Sequence, residues 1–291
     1  MTKIKKILIT GGAGFLGSMI TTSLVKKGFI VTVIDNLYFK KNFISHLKSY
    51  KNFKFVNANI ISSKVQKKYF KNQDLIIPLA ALVGAPLCDK KKKLAENLNY
   101  KVICDMVKIL HKDQKIIYPN TNSGYGIGKK NKFCTEKSPL RPISLYGRTK
   151  VKAEKCVMKH NNSISFRLAT VFGVSYRMRS DLLVNNFVDT AIKEKHLKIF
   201  EPYFFKNFIH IKDIVRAFEF SIKNFDNLKN NIYNLGLSTA NISKIQLARK
   251  IKKFLPSTKI SIIKNFKDPD KRDYIVSNSK IEKKSEDISD S

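Results

Sequence analysis

Tyr146 and Lys150 stand four residues apart in Tyr146-Gly147-Arg148-Thr149-Lys150, at the start of a segment that reads as helix to about His160. Residues four apart share a helix face, so both side chains can reach one crevice. A free phenol loses its proton near pH ~10, and a neighbouring ammonium favours the phenolate. The pair therefore predicts a base that takes a proton from a hydroxyl near neutral pH and returns it. Thr121 and Ser123 follow an apolar strand, Lys115-Ile116-Ile117-Tyr118-Pro119, and place hydroxyls at the crevice edge, within reach of the same oxygen. The Tyr-x-x-x-Lys spacing alone is also that of an ordinary exposed helix pair, so its weight depends on the elements around it.

The first of those elements is Ile7-Leu8-Ile9-Thr10-Gly11-Gly12-Ala13-Gly14-Phe15-Leu16-Gly17-Ser18. A β-branched strand ends in a glycine-dense turn and opens an amphipathic helix. Gly11, Gly14 and Gly17 recur every three residues, and Gly12 to Gly17 also reads G-x-G-x-x-G. Glycines allow the sharp turn, the close approach of a ligand and the tight packing of helix on strand. The helix N-terminus attracts a pyrophosphate. A second strand, Ile30 to Ile34, ends at Asp35, eighteen residues beyond Gly17. A carboxylate there accepts from the ribose hydroxyls and repels a 2′-phosphate, which favours NAD over NADP.

Alternation continues. The pattern predicts helix over Lys40 to Ser49, strand over Phe53 to Asn57, and a short helix near Ser62 to Phe70. Strand follows over Asp74 to Leu79, and one long helix from about Leu94 to Leu110. Such order argues for an α/β fold built on a doubly wound parallel sheet, with ligands bound beyond the carboxyl ends of the strands. Residues 1–170 form the dinucleotide-binding domain, to which 207–235 returns. Residues 171–206 and 236–291 form a smaller C-terminal substrate-binding lobe.

The chain of 291 residues carries a formal charge of +34, almost all lysine and spread along its length. No aromatic-interleaved basic stripe appears, which argues against a nucleic-acid partner. No apolar run is long enough to span a bilayer, and the N-terminus enters the first strand without a signal peptide pattern. Cys88, Cys104, Cys134 and Cys156 lack metal-ligand spacing, so free thiols in a reducing cytoplasm are expected. No metal is expected; Asp268, Asp270 and Asp273, interleaved with Lys267, Lys271 and Arg272, read as a polar loop. His210 reads as a packed strand histidine oriented by Asp213 (or Asp213 as a helix cap), and His111, His160 and His196 as surface residues.

Together these motifs resemble an extended short-chain dehydrogenase/reductase of the NAD-dependent epimerase/dehydratase family, which acts on nucleotide sugars. The carriers are Thr10 to Gly17, Asp35-Asn36, Leu79-Ala80-Ala81, Asn120 to Gly126, Tyr146 to Lys150, Phe166-Arg167-Leu168 and Asn207 to Asp213. The resemblance implies a Rossmann sheet, tightly held NAD and a homodimer built through helices. It makes Tyr146 the general base, Lys150 its partner on the nicotinamide ribose, and Thr121 the hydroxyl that polarises the sugar oxygen. It places Gly11, Gly14, Phe15, Leu16, Gly17, Asp35, Asn36, Asn59, Ile60, Leu79, Ala80, Ala81 and Asn99 at the cofactor, with Tyr146 and Lys150. It places Val83, Thr121, Asn122, Ser123, Tyr146, Thr170, Arg179, Asn186, Lys206 and Arg272 at the substrate, with Asn186 and Arg272 on the nucleotide diphosphate.

The chain departs from the family pattern at Pro78, Asn59, Lys206 and Thr170, where His, Asp, Arg and Asn are usual. The dehydratases of the group carry an Asp-Glu pair after the threonine; here Asn122 and Ser123 follow, and neither is a carboxylate. A 4,6-dehydratase is therefore disfavoured, and two close readings remain, of which an epimerase acting at C4 is the one expected. A nucleotide-sugar dehydrogenase or reductase is the alternative, and a non-catalytic NAD-binding protein ranks below both because Tyr146 and Lys150 are present.

Overall fold

The β-branched runs and amphipathic segments of the first half become parallel strands and crossover helices in a computed structural model, which describes residues 4–39, 41–129, 131–263 and 272–289. The strands are β1 (Lys6–Thr10), β2 (Ile30–Asp35), β3 (Phe53–Asn57), β4 (Leu75–Pro78), β5 (Lys115–Thr121), β6 (Ser163–Leu168), β7 (Thr170–Phe172), β8 (His196–Ile199), β9 (Phe205–His210), β10 (Asn231–Leu235), β11 (Asn241–Ser243) and β12 (Lys259–Ile262). The helices are α1 (Phe15–Lys26), α2 (Ser63–Phe70), α3 (Ala85–Lys90), α4 (Lys92–Glu96), α5 (Val102–Ile109), α6 (Leu145–Val157), α7 (Leu183–Glu194), α8 (Ile211–Lys223), α9 (Phe225–Leu228), α10 (Lys244–Phe254) and α11 (Ser279–Ser289).

Seven strands form one sheet in the order β3-β2-β1-β4-β5-β6-β10, with every pair parallel. The chain starts at β1 and winds outward in both directions, as a doubly wound α/β sheet does. Register aligns the strand ends: Thr10 lies opposite Ile34 on one side and Pro78 on the other. A parallel sheet needs both faces covered. One face packs Ile7, Ile9, Val31 and Val33 with Ile20 and Leu24 of α1 and Phe218 of α8. The other packs Leu8, Ile76 and Ile116 with Phe70 of α2, Met106 of α5 and Ala153 of α6.

A smaller sheet, β11-β9-β7, and the pair β12-β8 enclose a separate core with α7 and α10. β9 belongs to this smaller sheet, so α8, α9 and β10 make the return to the large one. Lys267, Asp268, Asp270 and Lys271 lie outside the described residues. Among the described residues, no helix is long and apolar enough to cross a membrane.

Several elements differ from the sequence reading. The helix expected over Lys40 to Ser49 is one 3-10 turn, Ser45–Leu47, with Lys40 itself outside the described residues. The long helix expected from Leu94 to Leu110 is α4, a π-helical turn at Asn97–Lys101, and α5. Free thiols were expected throughout, but Cys104 and Cys156 form a disulfide, with Cα atoms 5.4 Å apart. The fold lays α5 against α6, a proximity that a spacing of 52 residues does not reveal. Cys88 and Cys134 are free and buried. His160, read as a surface residue, is buried with its Nε2 2.6 Å from the Gln114 carbonyl, and His196 is half-buried against Ser261. His210 caps α8 by accepting from Lys212 N, while Asp213 pairs with Arg216 rather than orienting it.

Candidate active site

The strand ends converge on the glycine-rich turn. Gly11 has φ +71°, a left-handed conformation that L side chains rarely adopt. A Cβ on it would stand 2.6 Å from Ala80 N, and one on Gly17 would stand 2.2 Å from the Gly11 carbonyl. Both positions admit no side chain, so β1, the loop after β4 and α1 meet backbone to backbone. Gly14 precedes α1 without a side-chain cap, and no acidic residue occupies the first turn. The first N–H groups of α1, from Phe15, Leu16 and Gly17, thus meet the conditions for an anion site. Asp35 closes the far side, accepting from Ala13 N at 3.0 Å and Leu37 N at 2.8 Å. Burial raises its carboxyl above the usual range, while those backbone N–H groups and Arg177 pull it back. The cradle fits a dinucleotide.

The loop after β4 supplies Leu79, Ala80 and Ala81, each half-buried, beside that cradle. Leu79 N donates to the Thr10 carbonyl and Ala80 N to Thr10 Oγ1. Asn36 and Asn59 are exposed and turn their side chains to their own backbones, at Tyr38 N and Ile61 N; Ile60 is buried in the core. Asn99 is buried against the loop that follows β4. Its carboxamide accepts from Leu82 N at 2.8 Å and donates to the Leu82 carbonyl at 2.9 Å, inside the π-helical turn. The widened turn carries Asn99 to the loop that follows β4 and fixes that loop's path, which leaves Val83 exposed beyond it.

The reactive side chains sit one strand away. β5 ends at Thr121, which caps a 3-10 turn over Asn122–Tyr125. Ser144 caps α6 by accepting from Gly147 N, so Tyr146 and Lys150 occupy its first two turns. The Thr121 hydroxyl stands beside the Tyr146 phenol and favours its ionised form. Burial pushes that phenol up to about 12, and the nearby Cys88 thiol adds to the rise, whereas Arg272, Arg179 and Thr121 oppose it. The sequence reading had Lys150 acidify Tyr146. In the structure Lys150 Nζ instead donates to the Pro119 carbonyl at 2.7 Å and lies 4.0 Å from the centre of the Tyr118 ring. Burial lowers the amine to about 7, against the pull of Glu154. The charges acting on the phenol in this state are therefore arginines.

Beneath Lys150 lies a network that sequence reasoning missed. Glu154 accepts from Asn120 Nδ2 at 2.7 Å, from Ser165 Oγ at 2.8 Å, and from Arg167 through two nitrogens. Arg167 also donates to the Tyr125 hydroxyl, which donates to Asn234. Both ionic side chains are almost fully buried, at 3% and 5% exposure. A signal was present: Glu154 follows Lys150 by four residues, and Tyr146 by eight, on one face of α6. Asn120 and Asn122 are buried too, and Asn120 Oδ1 and both polar atoms of Asn122 lack a partner.

The substrate-side residues divide. Ser123 and Arg272 meet, with Arg272 Nη1 donating to Ser123 Oγ. Lys206 is buried and donates to the Arg272 carbonyl at 2.6 Å, which holds that arginine's backbone. Arg179 pairs with Asp181, yet its charge still reaches Tyr146. Thr170 begins β7, half-buried. Asn186 is exposed on α7, and its neighbour Asn185 turns inward to hold Gly173 and the Arg179 carbonyl. The segment between them crosses the cradle: Ser175 Oγ donates to the Phe15 carbonyl at 2.6 Å, and Arg177 lies 3.5 Å from the centre of the Phe39 ring.

Among known proteins, the chain is 29% identical over 273 residues to a dTDP-D-glucose 4,6-dehydratase of Dictyostelium discoideum, covering 85% of this chain and 62% of that protein. The chain thus spans less than two thirds of that relative's length. It is 26% identical over 242 residues to a putative UDP-glucose 4-epimerase of Methanocaldococcus jannaschii, covering 79% of this chain and 76% of the relative. In fold it matches a UDP-N-acetylglucosamine 4-epimerase from Methanobrevibacter ruminantium M1, with a TM-score of 0.84 and 21% identity over 97% of this chain and 92% of the other. It matches a dTDP-glucose 4,6-dehydratase from Bacillus anthracis, solved with NAD, with a TM-score of 0.83 and 20% identity over 97% and 90%. The family model described as the NAD dependent epimerase/dehydratase family matches residues 7–236, which include the glycine-rich cradle, Thr121, Tyr146 and Lys150, and the chain belongs to that family, with NAD as its cofactor.

Proposed function

We propose that the chain is a nucleotide-sugar epimerase that acts at C4, with Tyr146 as the base. The observation that carries this reading is the set of groups around the phenol. A thiol, two arginines and a hydroxyl act on Tyr146, and Thr121 is followed by Asn122 and Ser123. Removing water from a sugar calls for a carboxylate acid or base beside the ring. Glu154, the buried carboxylate of the network beneath Lys150, is committed to Arg167, Asn120 and Ser165. What remains is proton transfer at one hydroxyl.

Bound NAD supplies a reversible acceptor for the hydride that leaves C4. The Tyr146 phenolate, the form that Arg272, Arg179 and Thr121 favour against burial, takes the proton of the C4 hydroxyl, and Thr121 donates to the same oxygen. The 4-keto sugar turns, C4 takes the hydride back on its opposite face, and Tyr146 returns the proton to the C4 oxygen. Arg272 and Arg179 suit the diphosphate, because a guanidinium fork matches phosphate oxygens in pairs. Gly11, Gly14 and Gly17 with the first turn of α1 would hold the pyrophosphate, and Asp35 the ribose diol. Ser175 and Arg177 anchor their segment across that cradle, which favours a retained cofactor and so an epimerase over a dehydrogenase that must exchange it.

Incubation of the purified protein with a panel of nucleotide sugars tests the reading. Isomer formation without net change in nicotinamide absorbance is expected. Stoichiometric NADH would indicate a dehydrogenase, and loss of water a dehydratase. Tyr146→Phe is expected to lower turnover by at least about a hundredfold while NAD stays bound. A variant with full activity would overturn the mechanism.

A further inference from the structure

Two hydroxyls, those of Thr121 and Ser123, lie in series between the Tyr146 phenol and Arg272. The phenol lies beside the Thr121 hydroxyl, which favours its charged form, and Thr121 Oγ1 donates to Ser123 Oγ at 2.9 Å. Ser123 Oγ accepts at the same time from Arg272 Nη1. The geometry is held from behind. Ser123 N donates to Thr121 Oγ1 at 3.1 Å in the 3-10 turn, and Lys206 Nζ pins the Arg272 carbonyl. Ser123 is buried to 2% exposure, so water does not compete for its oxygen.

We propose that Ser123 is a positioning residue that connects Arg272 to the Thr121–Tyr146 pair, so that the guanidinium charge reaches the phenol through a chain of hydroxyls. With a neutral phenol, the chain runs from Tyr146 to Thr121 to Ser123. With a phenolate and no sugar in the site, it must reverse: Ser123 donates to Thr121, and Thr121 turns its one proton to the phenolate oxygen. A hydroxyl can make that turn because it is both donor and acceptor. Arg272 has no acceptor face, so it keeps donating to Ser123 Oγ in both states. Its charge polarises the Ser123 O–H and strengthens the reversed chain, because charge-assisted hydrogen bonds are the stronger ones and successive bonds polarise one another. The same arrangement ties substrate to base. A diphosphate that engages Arg272 alters the far end of the chain whose near end is the proton-transferring group.

Other groups face the phenol and bound the effect. Cys88 of α3 opposes its ionisation, Arg179, from the segment that crosses the cradle, favours it, and the phenol in turn opposes ionisation of Tyr118 of β5. Lys150, on the phenol's own helix, is turned to the Pro119 carbonyl, and Glu154 faces Lys150. None of these is bonded to Ser123 among the described contacts, so substitution at Ser123 isolates the relay.

The proposal rests on Tyr146 as the proton-transferring group, and its test does not need the sugar. In protein carrying fluorotyrosine, whose phenols ionise at lower pH, fluorine NMR follows the resonance that Tyr146→Phe removes. Ser123→Ala is expected to raise its ionisation midpoint by about one pH unit, a shift of the size that a lost hydrogen bond to the charged form produces. Ser123→Thr should restore the wild-type midpoint. Arg272→Gln should raise it at least as far, and adding Ser123→Ala to Arg272→Gln should raise it no further. An unmoved midpoint in Ser123→Ala, or two shifts that add in full, would overturn the relay. Shifted midpoints with no turnover on any nucleotide sugar would count against the reaction and in favour of the relay. Turnover with an unmoved midpoint would count against the relay alone.

Discussion

Lys150 Nζ is enclosed, bonded to the Pro119 carbonyl, and drawn toward its charged form only by Glu154, which is itself tied to Arg167. Burial lowers the amine from 10.5 to about 7. Below about pH 7 the folded and unfolded chains both hold the proton, and the fold bears the full cost of a buried ammonium. Between about 7 and 10.5 only the unfolded chain holds it, so stability rises with pH through that window. Lys150→Met removes the titration and keeps the aliphatic stem. The apoprotein variant is expected to melt above wild type at pH ~6, with the gap closing as pH rises toward ~10. Calorimetry across that range checks it, and a gap that stays constant would mean the amine is solvated. The Tyr-x-x-x-Lys spacing made both residues legible, but not their relation. The phenol's dependence on Arg272 and Arg179 comes from segments more than thirty positions away, and no local spacing encodes it.

α1 and β1 meet where Gly17 faces the Gly11 carbonyl, and the contact leaves no room for a methyl group. Gly17→Ala is therefore expected to push the helix start from the strand and widen the pyrophosphate cradle. A loss of at least about tenfold in NAD affinity should accompany a destabilisation of about 1–3 kcal/mol, the usual cost of overpacking. Titration calorimetry and thermal melts measure the two, and unchanged NAD affinity would mean that the turn does not hold the pyrophosphate. This element was readable because glycine spacing and β-branched runs act locally. The interruption of the helix over Leu94 to Leu110 was not, because the π turn exists to deliver Asn99 to Leu82, a tertiary contact. The disulfide was hidden for the same reason, since the fold alone brings α5 beside α6. A crosslink closing a loop of 52 residues stabilises by about 4 kcal/mol through the unfolded chain. Cys104→Ser should lower denaturant stability by up to that amount, and peptide mapping without reductant should recover Cys104 joined to Cys156. Recovery of two free thiols would refute the pairing.

At the scale of the whole chain, the excess of 56 basic over 22 acidic residues has no local explanation in the motifs. Runs such as Lys90 to Lys93 fall at the ends of α3 and α4 rather than in a stripe. The parallel sheet points every strand's carboxyl end at one cleft, and the charges of Arg179 and Arg272 reach the Tyr146 phenol there. A diffuse positive field with two arginines at its focus favours the approach of a dianionic diphosphate from any direction. Screening shortens that field from ~30 Å at 0.01 M salt to ~3 Å at 1 M. For a nucleotide-sugar substrate, kcat/KM is then expected to fall by about tenfold between those limits, whereas kcat, measured with the cleft already filled, should change little. Arg272→Gln should lower kcat/KM at every ionic strength but leave most of the salt slope, because the remaining charge is spread over the surface. Steady-state rates at several salt concentrations separate the two contributions. A kcat/KM independent of salt would mean that the surface lysines act on something other than the substrate's approach.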